Sequence, residues 1–238
     1  MMYVLVGIVV LVALFAAEAV RVRVHNRRML ARLASSVETL RALTMREVTY
    51  EPRGPSDVIP PPARPAFEAF DRELREHGMT ATGDLVEAMS SSVNIERWFR
   101  DGDGSIFGWF GVTATGGPAM VLFSESDDGT FIVTGRHAKG ANLVDPPVVT
   151  RQRFDWAHGL GAVLDAHRAR LTGTSSWRRA PDAAAGAASL LRLRAAVARW
   201  RAAQPPDQLL EADLRSMLAE RWDELGPMLL DFMRARAT

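Results

Sequence analysis

The sequence predicts an α+β fold: an N-terminal transmembrane helix, then an antiparallel β-meander flanked by helices, and a C-terminal helical tail. Three observations carry this expectation. Residues 79–153 hold short runs rich in Val, Ile, Phe, Trp and Thr, separated by Asp-Gly and Gly-Gly turns. Residues 1–17 contain no charged side chain. Apolar residues on either side of the β-rich run recur at three- and four-residue spacing, the period of a helix with one buried face.

The first segment, residues 1–20, is dominated by Val, Leu, Ile, Phe and Ala. As a helix, its uncharged part alone spans about 26 Å, close to the hydrocarbon thickness of a bilayer. No Lys or Arg precedes it, whereas Arg21, Arg23, Arg27, Arg28 and Arg32 follow before any new acid. The positive-inside rule then predicts a single-pass protein of the inner (cytoplasmic) membrane, with its N-terminus outside and its bulk in the cytoplasm. Ala17-Glu18-Ala19 also fits a signal-peptide cleavage site, but the basic n-region of a secretory signal is missing and the charges stand on the other flank. Residues 21–50 continue as a juxtamembrane helix. Its stripe of Leu30, Leu33, Val37, Leu40 and Leu43 suits self-association through residues 30–43 or packing on the chain's own domain. Residues 51–65 carry six of the 13 prolines and read as a semi-rigid spacer.

An α+β domain is expected over residues 66–172. Strand-like segments cover 93–100, 106–113, 120–125 and 131–136, with Asp101-Gly102-Asp103-Gly104, Gly116-Gly117-Pro118 and Asp127-Asp128-Gly129 as turns. Residues 79–89 add a strand in front, with Gly83-Asp84 as a bend or bulge, and 148–153 add one behind. Strand alternation places Phe107 and Trp109 on one face and Ile106, Phe110 and Val112 on the other. That strand is therefore central and covered on both sides. Helices over 65–77 (Phe67, Phe70, Leu74, capped by Gly78) and 154–171 (Trp156, Leu160, Val163, Leu164, Leu171) supply covers.

Residues 173–186 are Gly-, Ser- and Ala-rich and read as a second linker. The helical tail, 187–238, begins with a basic amphipathic helix in which Leu190, Leu193, Val197 and Trp200 share a face. Pro205-Pro206 stops it, Asp207 is placed to cap the next helix, and Gly226-Pro227 breaks that one before a last short helix.

With 238 residues and a net charge of +1, the chain shows no global basicity that would point to nucleic acid. The absence of cysteine excludes thiol catalysis, disulfides and cysteine-ligated metal. The five histidines include no i, i+4 pair and no H-E-x-x-H, no serine sits in G-x-S-x-G, and the Gly102-Asp103-Gly104 turn lacks the remaining residues of a P-loop or EF-hand. No metal site and no cofactor is implied. The loop after residue 135 is polar and Gly-flanked, and its Arg136, His137 and Lys139 suit an anion. His167 is a possible companion, with a core or capping role as the alternative. Arg21, Arg23, Arg27 and Arg28, together with Arg192, Arg194, Arg199 and Arg201, are expected at the membrane surface, although the second group also suits a helix that keeps its arginines in solvent and its apolar face on the core.

Gly83-Asp84, Arg97-Trp98-Phe99 before an Asp-Gly turn, Ser124 with Asp128-Gly129 and Thr134, and a helix bearing His167 follow an order that resembles an uncharacterised group of bacterial membrane-anchored proteins over residues 67–171. The resemblance implies no activity. The sequence thus points to a membrane-anchored, non-enzymatic module that binds a protein or the membrane surface. A small-ligand or anion-binding domain, or an enzyme, built on Arg136-His137-Lys139 is the alternative.

Overall fold

The computed structural model describes residues 2–54, 59–87, 94–112, 117–137, 143–171 and 176–237. For residues 2–20, Val22, Arg23, Leu43, Asn94, His137 and Ala237 it describes the backbone only. The chain divides into two compact units, one of Met1–Thr44 with Pro205–Thr238 and one of Met45–Gln204.

The first unit is helical. Helix α1 (Met2–Met45) is unbroken. Its Leu30, Leu33, Ala34 and Val37 pack with Leu210 and Leu214 of α5 (Pro206–Leu218) and with Leu229, Leu230 and Met233 of α6 (Trp222–Ala237). Within the stripe of residues 30–43, a candidate for self-association, residues 30–37 therefore face their own chain. Arg41 reaches the buried Asp213 at 3.4 Å. Among the described residues, no helix is long and apolar enough to cross a membrane; the side chains of 2–20, on which the anchor expectation falls, lie outside that description. Two boundaries differ from expectation. Pro205 stands at the N-cap of α5 and Asp207 lies inside its first turn. Gly226-Pro227 is contained within α6 rather than breaking it, and the Trp222 ring closes over Gly226 so tightly that a Cβ there would lie 2.3 Å away.

The second unit is a seven-stranded sheet in sequential order: β1 (Tyr50–Pro52), β2 (Thr80–Glu87), β3 (Asn94–Arg100), β4 (Phe107–Val112), β5 (Pro118–Glu125), β6 (Phe131–His137) and β7 (Val149–Phe154). Neighbours are antiparallel except β6 and β7, which run parallel. Eleven residues separate those two strands, close to the dozen that a parallel return needs. The meander is thus mostly, not wholly, antiparallel, and β1 occupies residues assigned to the juxtamembrane helix and the spacer. The expected bulge is present: the β2–β3 register shifts between Ala81 and Gly83, and Gly83 takes φ +142°, a value that a side chain rarely tolerates.

Both sheet faces are covered. Helix α2 (Arg64–Glu76) sets Phe67, Phe70 and Leu74 against Phe99, Ile106, Phe110 and Met120. Helix α3 (Leu160–Arg170) adds Leu160, Val163 and Leu164 to that same face. The opposite face, with Leu85, Trp98, Phe107, Phe123 and Val133, is covered by Ala183, Ala187, Leu193 and Val197 of α4 (Ala183–Ala202). Helix α4 starts within residues read as a linker and belongs to the sheet unit rather than to a tail. Its first residues are mostly alanine, the strongest helix former, and the Asp182 carboxylate caps it by accepting from the Ala185 amide at 2.8 Å. Alanine-rich composition there signals a helix, not a flexible connection.

Candidate functional site

Of the predicted anion loop, Lys139 lies outside the described residues and His137 ends β6 with only its backbone described. Arg136 is 4 % exposed and is already engaged. It donates to the Glu73 carboxylate of α2 at 2.6 Å and stacks on the Trp156 ring, with 4.1 Å from guanidinium to centroid. A cation held between a carboxylate and an indole fastens β6 to α2, and its buried Nε makes no hydrogen bond.

His167 is fully buried and both ring nitrogens are used. Arg170 Nη1 donates to Thr134 Oγ1 (3.1 Å), the Thr134 hydroxyl contacts Nδ1 (2.8 Å), Nε2 contacts Ser124 Oγ (3.0 Å), and Ser124 donates to the Ser105 carbonyl (2.6 Å). The terminal carbonyl can only accept, which fixes the direction at the Ser124 end, and a neutral ring sets the other end. Ser124 gives its proton to Ser105, Nε2–H donates to Ser124, and Nδ1 accepts from Thr134. Burial, aided by Arg170 and Arg168, pushes the imidazole pKa down to about 3, and it is this neutral ring that leaves Nδ1 as the acceptor. This is a core histidine with no free nitrogen for ligand or proton traffic. A signal for it exists in the sequence: position 167 follows Leu160, Val163 and Leu164 at i+7, i+4 and i+3, the buried side of α3.

Two features fall outside the sequence-predicted sites. On the α4 side of the sheet, Glu87 and Glu96 are 8 % and 6 % exposed. They stand with Tyr50, the Trp98 indole, Arg46 and Arg194. Arg46 donates to Glu87 at 2.7 Å, and Arg194 donates to the Arg46 carbonyl at 3.0 Å. Glu96 Oε2 makes no hydrogen bond. Burial, with Glu87 nearby, pushes the Glu96 carboxyl up to about 8. Burial likewise raises Tyr50, reinforced by both glutamates. The pair thus divides its charge, with Glu87 paired to Arg46 and Glu96 holding a proton at neutral pH.

On the other face, a cleft of about 700 Å³ is lined by Arg53, Gly54, Ala81, Gly83, Asp84 and Arg97. The β2 bulge turns Asp84 toward Arg97 Nε (2.8 Å) and Arg53 Nη1 (2.8 Å). Arg97 also pairs with Asp71 of α2 and lies over the Phe67 ring at 5.3 Å. Burial pushes the Asp84 carboxyl up, but hydrogen bonds and charge from Arg97 and Arg53 outweigh it and hold the carboxyl below its ordinary range. The cleft presents fixed guanidinium and carboxylate edges at the end of β2, beyond residues 85–87 that pair with β1 and next to the Arg53 amide, which donates to the Asp84 carbonyl at 3.1 Å. Among the described residues, no group of three or more His, Asp and Glu gathers as a metal site.

Three of the four arginines of α4 are engaged by protein acceptors. Arg192 makes a bidentate pair with Glu125 (2.6 Å at closest), Arg194 bonds the Arg46 carbonyl, and Arg201 is buried and donates to the Val144 carbonyl at 3.2 Å. Arg199 is exposed. On α1, Arg21, Arg27 and Arg28 are exposed. No family model matches the chain, and neither a curated protein nor a solved structure matches it.

Proposed function

We propose that this chain is a single-pass protein of the cytoplasmic membrane, whose α+β unit is a non-enzymatic binding module held at the cytoplasmic face. The observation that carries the reading is the unbroken helix α1: it joins the uncharged residues 2–17 to a segment clamped by α5 and α6, so the sequence suited to a bilayer is continuous with a packed fold. The arginines after residue 20 orient it. The titratable clusters described above are neutralised internally, as expected of a scaffold whose charges hold elements together. The test is protease accessibility of a C-terminal tag in spheroplasts, with fractionation of intact cells. A protected tag that pellets with membranes is the expected result. A digested tag, or a soluble fragment lacking the first residues, refutes the topology.

A second reading has its own observation. The Arg53–Asp84–Arg97 cleft, rather than the Arg136 loop, is where a small polar ligand would find both donors and acceptors at a described surface. Arg53→Ala would then abolish ligand-induced thermal shifts in a metabolite screen, and unchanged shifts would exclude this cleft.

A further inference from the structure

The part of α1 that leads into its clamped segment carries a charged face. Taking 100° per residue, Arg21, His25, Arg28 and Arg32 fall within about 60° of one another, in a stripe about 16 Å long. All four are exposed. Leu30, Leu33, Ala34 and Val37, which pack on α5 and α6, lie on the opposite side of the helix. The two faces are chemically distinct, because no Asp or Glu occurs between Glu18 and Glu38. The exposed face beyond the stripe continues through Ser35, Ser36 and Thr39, which carry no charge. A charged stripe on a solvated helix usually alternates sign, and a stripe that bears only cations from Arg21 to Arg32 is complementary to an anionic surface.

We infer that the Arg21–His25–Arg28–Arg32 stripe binds the phosphate headgroups of anionic phospholipids. The inference rests on the anchored reading above and names the partner of its cytoplasmic flank. Helical side chains tilt toward the N-terminus, so on a helix that leaves the bilayer at residue 20 these guanidiniums lean back to the surface they have just left. Arg21 and His25 lie at headgroup level. Arg28 and Arg32 begin about 12 and 18 Å further out along the axis, and with their reach and a Debye length of about 8 Å they still feel the surface charge. The arginines of α4 do not share this role, since Arg192, Arg194 and Arg201 are committed to protein acceptors.

The full-length protein is tested in two steps. It is first floated with vesicles of pure phosphatidylcholine. It is then reconstituted in bilayers of equal phosphatidylcholine and phosphatidylglycerol, re-extracted gently, and its retained lipids are counted by native mass spectrometry. Flotation followed by enrichment of phosphatidylglycerol, at roughly five-fold per engaged cation at low salt, is expected. That enrichment is expected to vanish at high salt and in Arg21→Gln/Arg28→Gln/Arg32→Gln. It is expected to persist in a control with equal charge loss at exposed sites elsewhere, Arg75→Gln/Arg199→Gln/Arg234→Gln. Flotation without enrichment, or equal enrichment in the triple variant and the control, overturns the inference and leaves the anchor standing. Failure to float overturns the anchored reading and this inference with it.

Discussion

Replacing Glu96 by Gln tests the buried carboxyl pair directly. The amide has the shape of the protonated acid and never ionises. In the fold Glu96 titrates at about 8 against an ordinary 4.5, and the groups around it are Glu87, Tyr50, Trp98, Arg46 and Arg194. Because the folded value is raised, the contribution of Glu96 to stability is complete below the ordinary value and is lost as pH rises toward the folded one. One proton per molecule corresponds to ~1.4 kcal/mol for each pH unit. Summed from the ordinary value to about pH 7.5, this is about 4 kcal/mol, from which an unmade amide hydrogen bond removes about 1 kcal/mol. The variant is therefore expected to be more stable than the parent by about 3 kcal/mol near pH 7.5, and similar to it near pH 5. Urea unfolding followed by tryptophan fluorescence over that pH range is the assay. Parallel pH profiles for the two proteins, or a variant that is weaker near pH 7.5, would refute the argument that Glu96 is buried as the neutral acid.

Three further outcomes follow from the packing. His167, with its depressed pKa of about 3, is neutral in the fold, so its contribution is present above the ordinary histidine value and lost as pH falls below it; in a nitrogen-15 NMR titration its Nε2–H signal should not titrate above about pH 4, and protonation near pH 6 would contradict the hydrogen-bond direction assigned here. A Cβ on Gly108 would lie 2.2 Å from the Val121 carbonyl oxygen, whereas one on Gly186 would lie 2.9 Å from the Trp98 ring. Gly108→Ala should therefore lose more than about 3 kcal/mol and Gly186→Ala about 1–2 kcal/mol after its gain in helix propensity, and thermal melts in the reverse order would count against these contacts. Arg192→Leu leaves the buried Glu125 with a weaker set of partners, so a loss of about 2–3 kcal/mol is expected, while Arg199→Leu, at an exposed site, should change unfolding midpoints little.

The strand faces were legible because alternation is local. Phe107 and Trp109 do face α4, and Ile106, Phe110 and Val112 do face α2 and α3. The α2 stripe and its Gly78 cap, at φ +69°, were legible for the same reason. Which helix covers which face was not, because an apolar stripe states that it is buried and not against what. Both helices expected as covers share one face, and the second face is closed by α4, whose alanines resembled a linker by composition. The candidate loop shows the same dependence on distant partners. Arg136 looked available beside His137 and Lys139, but Glu73 and Trp156, distant in sequence, occupy it.

The sequence by itself determined most of the strands, the buried sides of β4 and α2, the absence of thiol chemistry and the sign of the charge after residue 20. These depend on residue type and on spacing within one turn or one strand. Only the tertiary structure decided which charges are spent. Glu96 is set beside Glu87 by the β2–β3 register, His167 is locked between Ser124 and Thr134 of two neighbouring strands, and Asp84 is joined to both Arg53 and Arg97 at a bulge. Whether an ionisable side chain is a ligand, a base or a fastener depends on its partners across the sheet and on the water excluded from it, and those are properties of pairing and burial rather than of order along the chain.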